Sequence, residues 1–173
     1  MPTTTSTEIS NVHARPQVAN AAGKDGGRVR IKQGNMEVAD GDFDANDDVI
    51  RLCEIPTNAV IISIEIGSDA LDAGSHSIIN VGLSTRGADA STAGTIKDED
   101  TYATLVTTWQ SATALTEVTN EARDINEQGN AVWQDAGDSA DPQAIYEICV
   151  YQTAAVGTDA AGTAVYRVLY AID

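Results

Sequence analysis

The sequence has few of the residues that most often carry chemistry or cross-links. Among its 173 residues are one phenylalanine, two tryptophans, two histidines and two cysteines. With aromatic residues at 5% of the chain, the core has to be built mainly from Val, Ile, Leu and Ala. A body of roughly 140 residues buries about two-thirds of its unfolded surface, which is enough for one core without metal or disulfide staples. We therefore expect one domain with a short arm.

The scarce cysteines and histidines are not spaced for a metal site or a catalytic pair. Cys53 and Cys149 lie far apart in strand-like runs, with no CxxC spacing. We interpret them as buried free thiols, although a disulfide between them stays possible. His13 lies in the N-terminal segment. His76 opens a predicted strand, and its neighbouring serines point to the opposite face, so they form no Ser-His pair.

Long apolar runs and catalytic motifs are also missing. The longest unbroken aliphatic stretch, residues 59–62, is far too short to span a membrane. The N-terminal MPTTTSTEIS lacks the features of a secretory signal. There is no GxGxxG, GxxxxGK or GxSxG, and no acidic pair stands in a recognisable catalytic setting. We therefore expect no enzyme, no cofactor and no membrane partner.

Basic residues are few, and half of them lie near the N-terminus. Residues 1–32 contain five basic and two acidic residues (net +3), whereas residues 33–173 contain five basic and twenty-four acidic residues (net −19). The acidic body would repel nucleic acid. Blocks of unlike charge indicate a surface that docks onto another molecule. The candidate docking residues are Arg15, Lys24, Arg28, Arg30 and Lys32.

The pattern along the chain predicts an all-β protein with an extended N-terminal arm. Residues 1–27 are polar and contain Pro2, Pro16 and a glycine-rich hinge, which is typical of an arm that orders only on binding. From residue 28, Val29 and Ile31 alternate with basic residues, so one face of this strand is apolar and the other positive. Glycine and asparagine at residues 33–35 predict a turn.

Residues 28–173 are predicted to form one β-sandwich or jelly roll. In the clearest strand, residues 59–67, alternation places Val60, Ile62, Ile64 and Ile66 on one face. In the last strand, predicted over residues 162–172, positions 165–170 are apolar at nearly every position, which is typical of a strand covered on both faces. The other predicted elements are strands at residues 36–38, 49–55, 76–84, 130–133 and 143–154, and a short helix within 117–127.

Two further patterns resemble binding sites. Alternating acidic residues at 40–48 look like an EF-hand opening, but Ala45 replaces the required glycine and Arg51 the required glutamate. We expect a solvated loop there, not a metal site. The aromatic residues could form a sugar-stacking platform, yet most lie in or beside strands, which favours core and subunit-contact roles. They are Tyr102, Trp109, Trp133, Tyr146, Tyr151, Tyr166 and Tyr170.

One layout resembles a known family. The stretch DVIRLCEIPTNAVIISIEI at residues 48–66 has the form strand, Leu/Ile-Pro-x-x-Ala, strand. It is followed by INVGLS at 79–84, by Trp133, and by a terminal hairpin whose second strand begins AGT at 161–163 and ends VLY. Over roughly residues 36–172 this resembles head proteins of tailed bacteriophages, similar to capsid decoration or cement proteins. The resemblance implies a β-sandwich or jelly roll, often trimeric, on the outer capsid surface, without catalytic residues.

The expected function is therefore that of a structural virion protein that binds the outer capsid surface and stabilises it. Its expected partners are the major capsid protein and two further copies of the chain, after synthesis in the host cytoplasm. The basic segment would pair with carboxylates on the capsid. Two alternatives stay open: another virion component, such as a head-fibre base or tail protein, and a carbohydrate-binding β-sandwich module.

Overall fold

Two four-stranded antiparallel sheets form the body of the protein. The computed structural model describes residues 7–18, 27–43, 45–46, 48–72, 78–90, 92–154 and 160–172. The strands in this part of the chain are β1 (Arg28–Val38), β2 (Val49–Pro56), β3 (Val60–Ser68), β4 (Ile79–Thr85), β5 (Ile96–Val106), β6 (Thr113–Glu117), β7 (Ile145–Gln152) and β8 (Gly162–Ile172). Two short helices, α1 (Thr7–His13) and α2 (Val132–Asp135), and a 3-10 turn (Ile125–Glu127) complete it.

The strand order is that of a jelly roll. One sheet, called sheet A here, has the order β1-β8-β3-β6, and the other, sheet B, has the order β2-β7-β4-β5. Except between β4 and β5, each strand is followed by a strand of the opposite sheet. This double Greek key is the arrangement of an eight-stranded jelly roll. The predicted all-β sandwich is confirmed. The division at residue 28 stays a prediction, since residues 19–26 lie outside the described part.

The core between the sheets is aliphatic, as the composition predicts. Ile55, Ile64, Leu83 and Val168 are completely buried. Burial of apolar surface is the main source of stability here, at roughly 25 cal/mol per Å². Most of the aromatic residues also belong to the interior and are at most 8% exposed: Tyr102, Trp109, Tyr146, Tyr151 and Tyr170. No helix within the described residues is long and apolar enough to cross a membrane.

A β-bulge in β3 changes the predicted faces of that strand. Ile61 and Ser63 pair with consecutive residues of β8, so Ile62 is an extra residue. As a result Ile61 is 3% exposed and Ile62 is 47% exposed. The prediction that Ile62 shares a face with Ile64 and Ile66 is wrong, because an inserted residue reverses the alternation.

Three local predictions are also wrong. Residues 33–35 form no turn but continue β1, because Gly34 provides space for the ring of Tyr166: a Cβ there would lie 2.9 Å from the Tyr166 hydroxyl oxygen. The 117–127 segment is helical only in its 3-10 turn. Residues 130–133 lead into α2, because the N–H groups of Val132 and Trp133 donate to carbonyls of the β2–β3 turn.

Candidate interaction surface

The strand β1 carries three of the five predicted docking residues and forms an edge of sheet A. Within the described residues it pairs only with β8. The pairing runs without a register shift from Arg28 opposite Ile172 to Val38 opposite Gly162. Arg28, Arg30 and Lys32 are therefore held on a regular backbone that belongs to the folded body.

The first half of β1 turns its basic residues toward the inside of the sandwich and its aliphatic residues toward solvent, the reverse of the usual arrangement. Directly paired residues lie on the same face of a sheet. Lys32 lies opposite Val168, which is completely buried, so the basic residues occupy the inner face. Val29 and Ile31 point outward and are 62% and 55% exposed. The predicted alternation is confirmed, but its apolar face points to solvent.

Lys32 lies near a thiol at the margin of the core. Burial raises the pKa of Cys53 to about 12, against the opposing effect of the Lys32 charge. Cys53 and Cys149 are both free, as interpreted from the sequence. Cys149 is completely buried, and its Sγ lies 3.3 Å from the hydroxyl of Ser84. A thiol with a raised pKa is a poor nucleophile at neutral pH.

The exposed aliphatic residues of β1 continue across the outer face of sheet A. Ile31 lies opposite Leu169 of β8, which is partly exposed, and Leu169 lies opposite Ser63 of β3, next to the extra bulge residue Ile62. We call Ile31, Leu169 and Ile62 the aliphatic row. Sequence reasoning missed Ile62 and Leu169, because their common face depends on a bulge that leaves no signal in the alternation. Contiguous exposed apolar side chains mark surfaces that contact other molecules.

The basic residues divide into a paired set and an unpaired set. All five that follow residue 33 form ion pairs with carboxylates, whereas Arg15, Arg28, Arg30 and Lys32 form none with any residue that the structure describes. Lys24 lies outside the described residues. The pairs are Arg51 with Glu147 (2.6 Å), Arg86 with Glu54 (2.7 Å), Lys97 with Asp138 (2.6 Å), Arg123 with Asp135 (2.8 Å) and Arg167 with Glu65.

The residues of the paired set have structural roles, and the role of Arg51 is the clearest. Its Nε and Nη2 atoms donate to the carboxylate of Glu147 at 2.7 and 2.6 Å. Its Nη1 atom donates to the carbonyl oxygen of Asp89 at 2.6 Å, which fixes the β4–β5 loop over sheet B. A groove of about 240 Å³ borders this pair, but both of its charges are already neutralised. Such a bidentate pair serves positioning rather than substrate binding.

The histidines and the acidic loop, the other candidates from the sequence, form no site within the described residues. His13 is exposed, and His76 lies outside the described residues. In the acidic 40–48 loop, Asp42 and Asp48 accept the N–H groups of Ala39 and Ala45. Asp44 and Asp47 lie outside the described part of the chain. No group of three or more His, Cys, Asp or Glu residues among those described is placed to hold a metal ion.

Trp109 is unsuited to a sugar-stacking platform because its ring is completely buried. It packs edge-on against Phe43, with ring centroids 5.5 Å apart. Phe43 comes from the acidic loop, so the contact anchors that loop on the core. The prediction of a core role is confirmed for Trp109, whereas Trp133 is partly exposed.

No protein-family model matches the chain, and no curated protein matches it significantly. Two solved structures share its fold. A chain in "Cyanophage Pam1 capsid asymmetric unit" has a TM-score of 0.55 and 19% sequence identity, with 100% of both chains covered. A chain in "Capsid of Ralstonia phage GP4" has a TM-score of 0.56 and 18% identity, covering 83% of this chain and 85% of that chain. This protein therefore has the fold of chains found in phage capsid structures.

Proposed function

We propose that this protein is a structural virion protein that binds the outer surface of a phage capsid and stabilises it, as decoration or cement proteins do. The observation that carries the proposal is the separation of the basic residues. All five in the acidic body are used in internal ion pairs, and those described before residue 33 form no ion pair with any residue that the structure describes. The fold shared with phage capsid chains supports the same class of function.

The proposed partner is the major capsid protein, which would present carboxylates to Arg15, Lys24, Arg28, Arg30 and Lys32. The proposed location is the outside of the virion, reached after synthesis in the host cytoplasm. Residues 1–27, of which Thr7–His13 form α1, would act as an arm that contacts the capsid, which lets a small protein cover a large surface at moderate affinity. The body, with a net charge of −19 outside residues 1–32, faces solvent.

We also propose that the protein is a homotrimer, because several copies bind a lattice with higher avidity than one. The apolar strand β8 does not itself call for a further copy, since it is not an edge strand but lies between β1 and β3. The aliphatic row now supplies the support. Sedimentation of the wild-type chain and of the Ile62→Ser variant tests it. We expect a trimer that weakens in the variant, and a monomer for both proteins at micromolar concentration would contradict it.

The capsid proposal is tested by binding to purified particles of the phage that encodes the chain, at low and high salt. Deletion of residues 1–27 and reversal of charge in an Arg28→Glu, Arg30→Glu, Lys32→Glu variant should each weaken binding and its dependence on salt. Arg86→Glu is the matched control, because Arg86 is exposed but paired with Glu54. Unchanged binding of both altered proteins at both salt concentrations would contradict the proposal. Recovery of the protein only in tail or fibre fractions would favour the other virion components.

A further inference from the structure

The four edge strands of the sandwich differ in how well they could accept another strand. The edges of the described sheets are β1 and β6 in sheet A and β2 and β5 in sheet B. β6 has only five residues. β2 contains a bulge between Arg51 and Cys53 and ends at Pro56. β5 shifts register three times against β4.

β1 lacks these features. It has eleven residues, no proline and no register shift against β8. At about 3.3 Å per residue it offers an edge roughly 36 Å long. A long, regular edge presents unpaired N–H and C=O groups, and proteins normally protect such edges by shortening, bulging or proline. Three of the four edges are protected in these ways, whereas β1 is protected only by charge, which does not repel a strand of opposite charge.

We propose that the edge of β1 that no described strand covers is a strand-addition site for an extended segment of the capsid partner in which carboxylates alternate with aliphatic residues. This rests on the proposed function and names the chemistry of its partner. Main-chain hydrogen bonds would provide affinity, and the alternating side chains would provide specificity.

The side chains of residues 28–32, the first half of β1, define that alternation. A strand added beside β1 places its residues next to those of β1 on the same two faces. On the inner face its neighbours are the cations Arg28, Arg30 and Lys32, which have no ion-pair partner among the described residues and favour carboxylates. On the outer face its neighbours are Val29 and Ile31, both more than half exposed. Aliphatic residues there would extend the aliphatic row to a fourth strand.

The same charges oppose the simplest competing occupant, a second copy of β1. Two β1 edges paired in parallel, or antiparallel about Arg30, would bring two sets of three cations together, and like charges opposite each other destabilise a strand pair. In these registers the site disfavours its own copy and favours an acidic strand. Charge on an edge is a general device against self-association, and here it also selects the partner.

The test uses the full chain and three synthetic ten-residue peptides. One alternates Glu and Val, one alternates Lys and Val, and one has five Glu followed by five Val. We expect the alternating Glu-Val peptide to bind most tightly and to protect every second β1 amide from hydrogen exchange, because alternate amides of an edge strand point to its free side. In the Arg28→Glu, Arg30→Glu, Lys32→Glu variant, binding of this peptide should fall by at least about tenfold and preference should shift to the Lys-Val peptide.

Equal binding of the block and alternating Glu peptides, or binding without protection of β1 amides, would show that charge alone attracts the peptide, and the strand-addition site would be wrong. An unfolding midpoint of the variant close to that of the wild type guards against misfolding, since an unfolded acidic chain would also prefer the Lys-Val peptide. Particle binding separates this inference from the proposed function. Protection by the peptide without particle binding would reject the capsid as partner, whereas salt-sensitive particle binding without β1 protection would reject strand addition alone.

Discussion

Arg123 and Asp135 form an ion pair in which both side chains are only 1% exposed, with Nη2 of Arg123 2.8 Å from Oδ2 of Asp135. The hydroxyl of Tyr102 donates to the same carboxylate at 3.2 Å. The guanidinium also lies over the ring of Tyr102, 5.7 Å from its centroid. These contacts fasten the segment between β6 and α2 to β5.

The first prediction concerns this pair. Asp135→Asn leaves a buried arginine without a countercharge, which typically lowers the free energy of unfolding by about 3–5 kcal/mol. The control is Glu54→Gln, which breaks the exposed pair with Arg86 and should change stability by about 0–1 kcal/mol. Urea unfolding of the two variants measures both values. Similar losses in both would show that burial of the Arg123 pair has no special effect.

The second prediction concerns pH. Although burial opposes it, hydrogen bonds from Arg51 and from the Gly87 N–H lower the pKa of Glu147 below its ordinary value of 4.5. Since the folded pKa is below the unfolded one, this stabilisation is present above pH 4.5 and is lost as the pH falls through the folded pKa. The stability difference between wild type and Glu147→Gln should therefore be largest near neutral pH and shrink in acid.

Unfolding midpoints in urea, measured in steps from pH 7 to pH 3, check this behaviour. Glu121→Gln is a suitable comparison, because Glu121 is exposed on a loop. Its stability should follow the wild-type curve at a constant offset. A Glu147→Gln difference that stays constant over the whole range would disprove the assigned role of the Arg51 pair.

The third prediction concerns Gly82 in β4, where β5 crosses closely. A Cβ at Gly82 would lie 2.1 Å from the carbonyl oxygen of Asp98, and that backbone atom cannot move away without displacing β5. Gly82→Ala should destabilise the protein by about 1–3 kcal/mol or more. Gly34→Ala is the matched control, since its nearest atoms belong to the movable side chain of Tyr166. Thermal unfolding should rank Gly82→Ala well below Gly34→Ala, and the reverse order would contradict the close crossing.

The fourth prediction concerns the acidic 40–48 loop. Asp42 and Asp48 use their carboxylates on N–H groups of the same loop. We expect thermal melts in calcium and in chelator to coincide, because a ligand that binds only the native state would raise its melting temperature. Magnesium serves as the control for general screening of charge. A calcium-specific rise of several degrees would establish a metal site.

Much of the fold could be predicted from alternation, because period-two patterns report local backbone directly. The strand at Gly162–Ile172 was predicted over its observed range. What alternation could not give was the bulge at Ile62 or the outward direction of Val29 and Ile31, since both depend on pairing with β8. Gly34 was assigned to a turn because the sequence cannot show the ring of Tyr166 beside it.

The candidate surface was predictable in part for a related reason. The charge asymmetry of residues 1–32 is visible in the sequence, and it selected Arg28, Arg30 and Lys32. Whether a basic residue forms an ion pair depends on its distance from a carboxylate in the folded state. Arg51 and Glu147, for example, are 96 residues apart along the chain, and no spacing rule links them.

The central position of β8 has a consequence for how the protein is made. The strands β1 and β3 leave the ribosome well before β8, which lies between them in sheet A. β8 is the last strand of the described chain, after all seven others. Contacts this distant in sequence close slowly, so folding in the millisecond-to-second range is expected. Until β8 arrives, the edges of β1 and β3 that it will cover are unpaired and prone to association with other chains. Nascent or truncated chains that lack β8 should therefore aggregate rather than accumulate as a soluble half-sandwich.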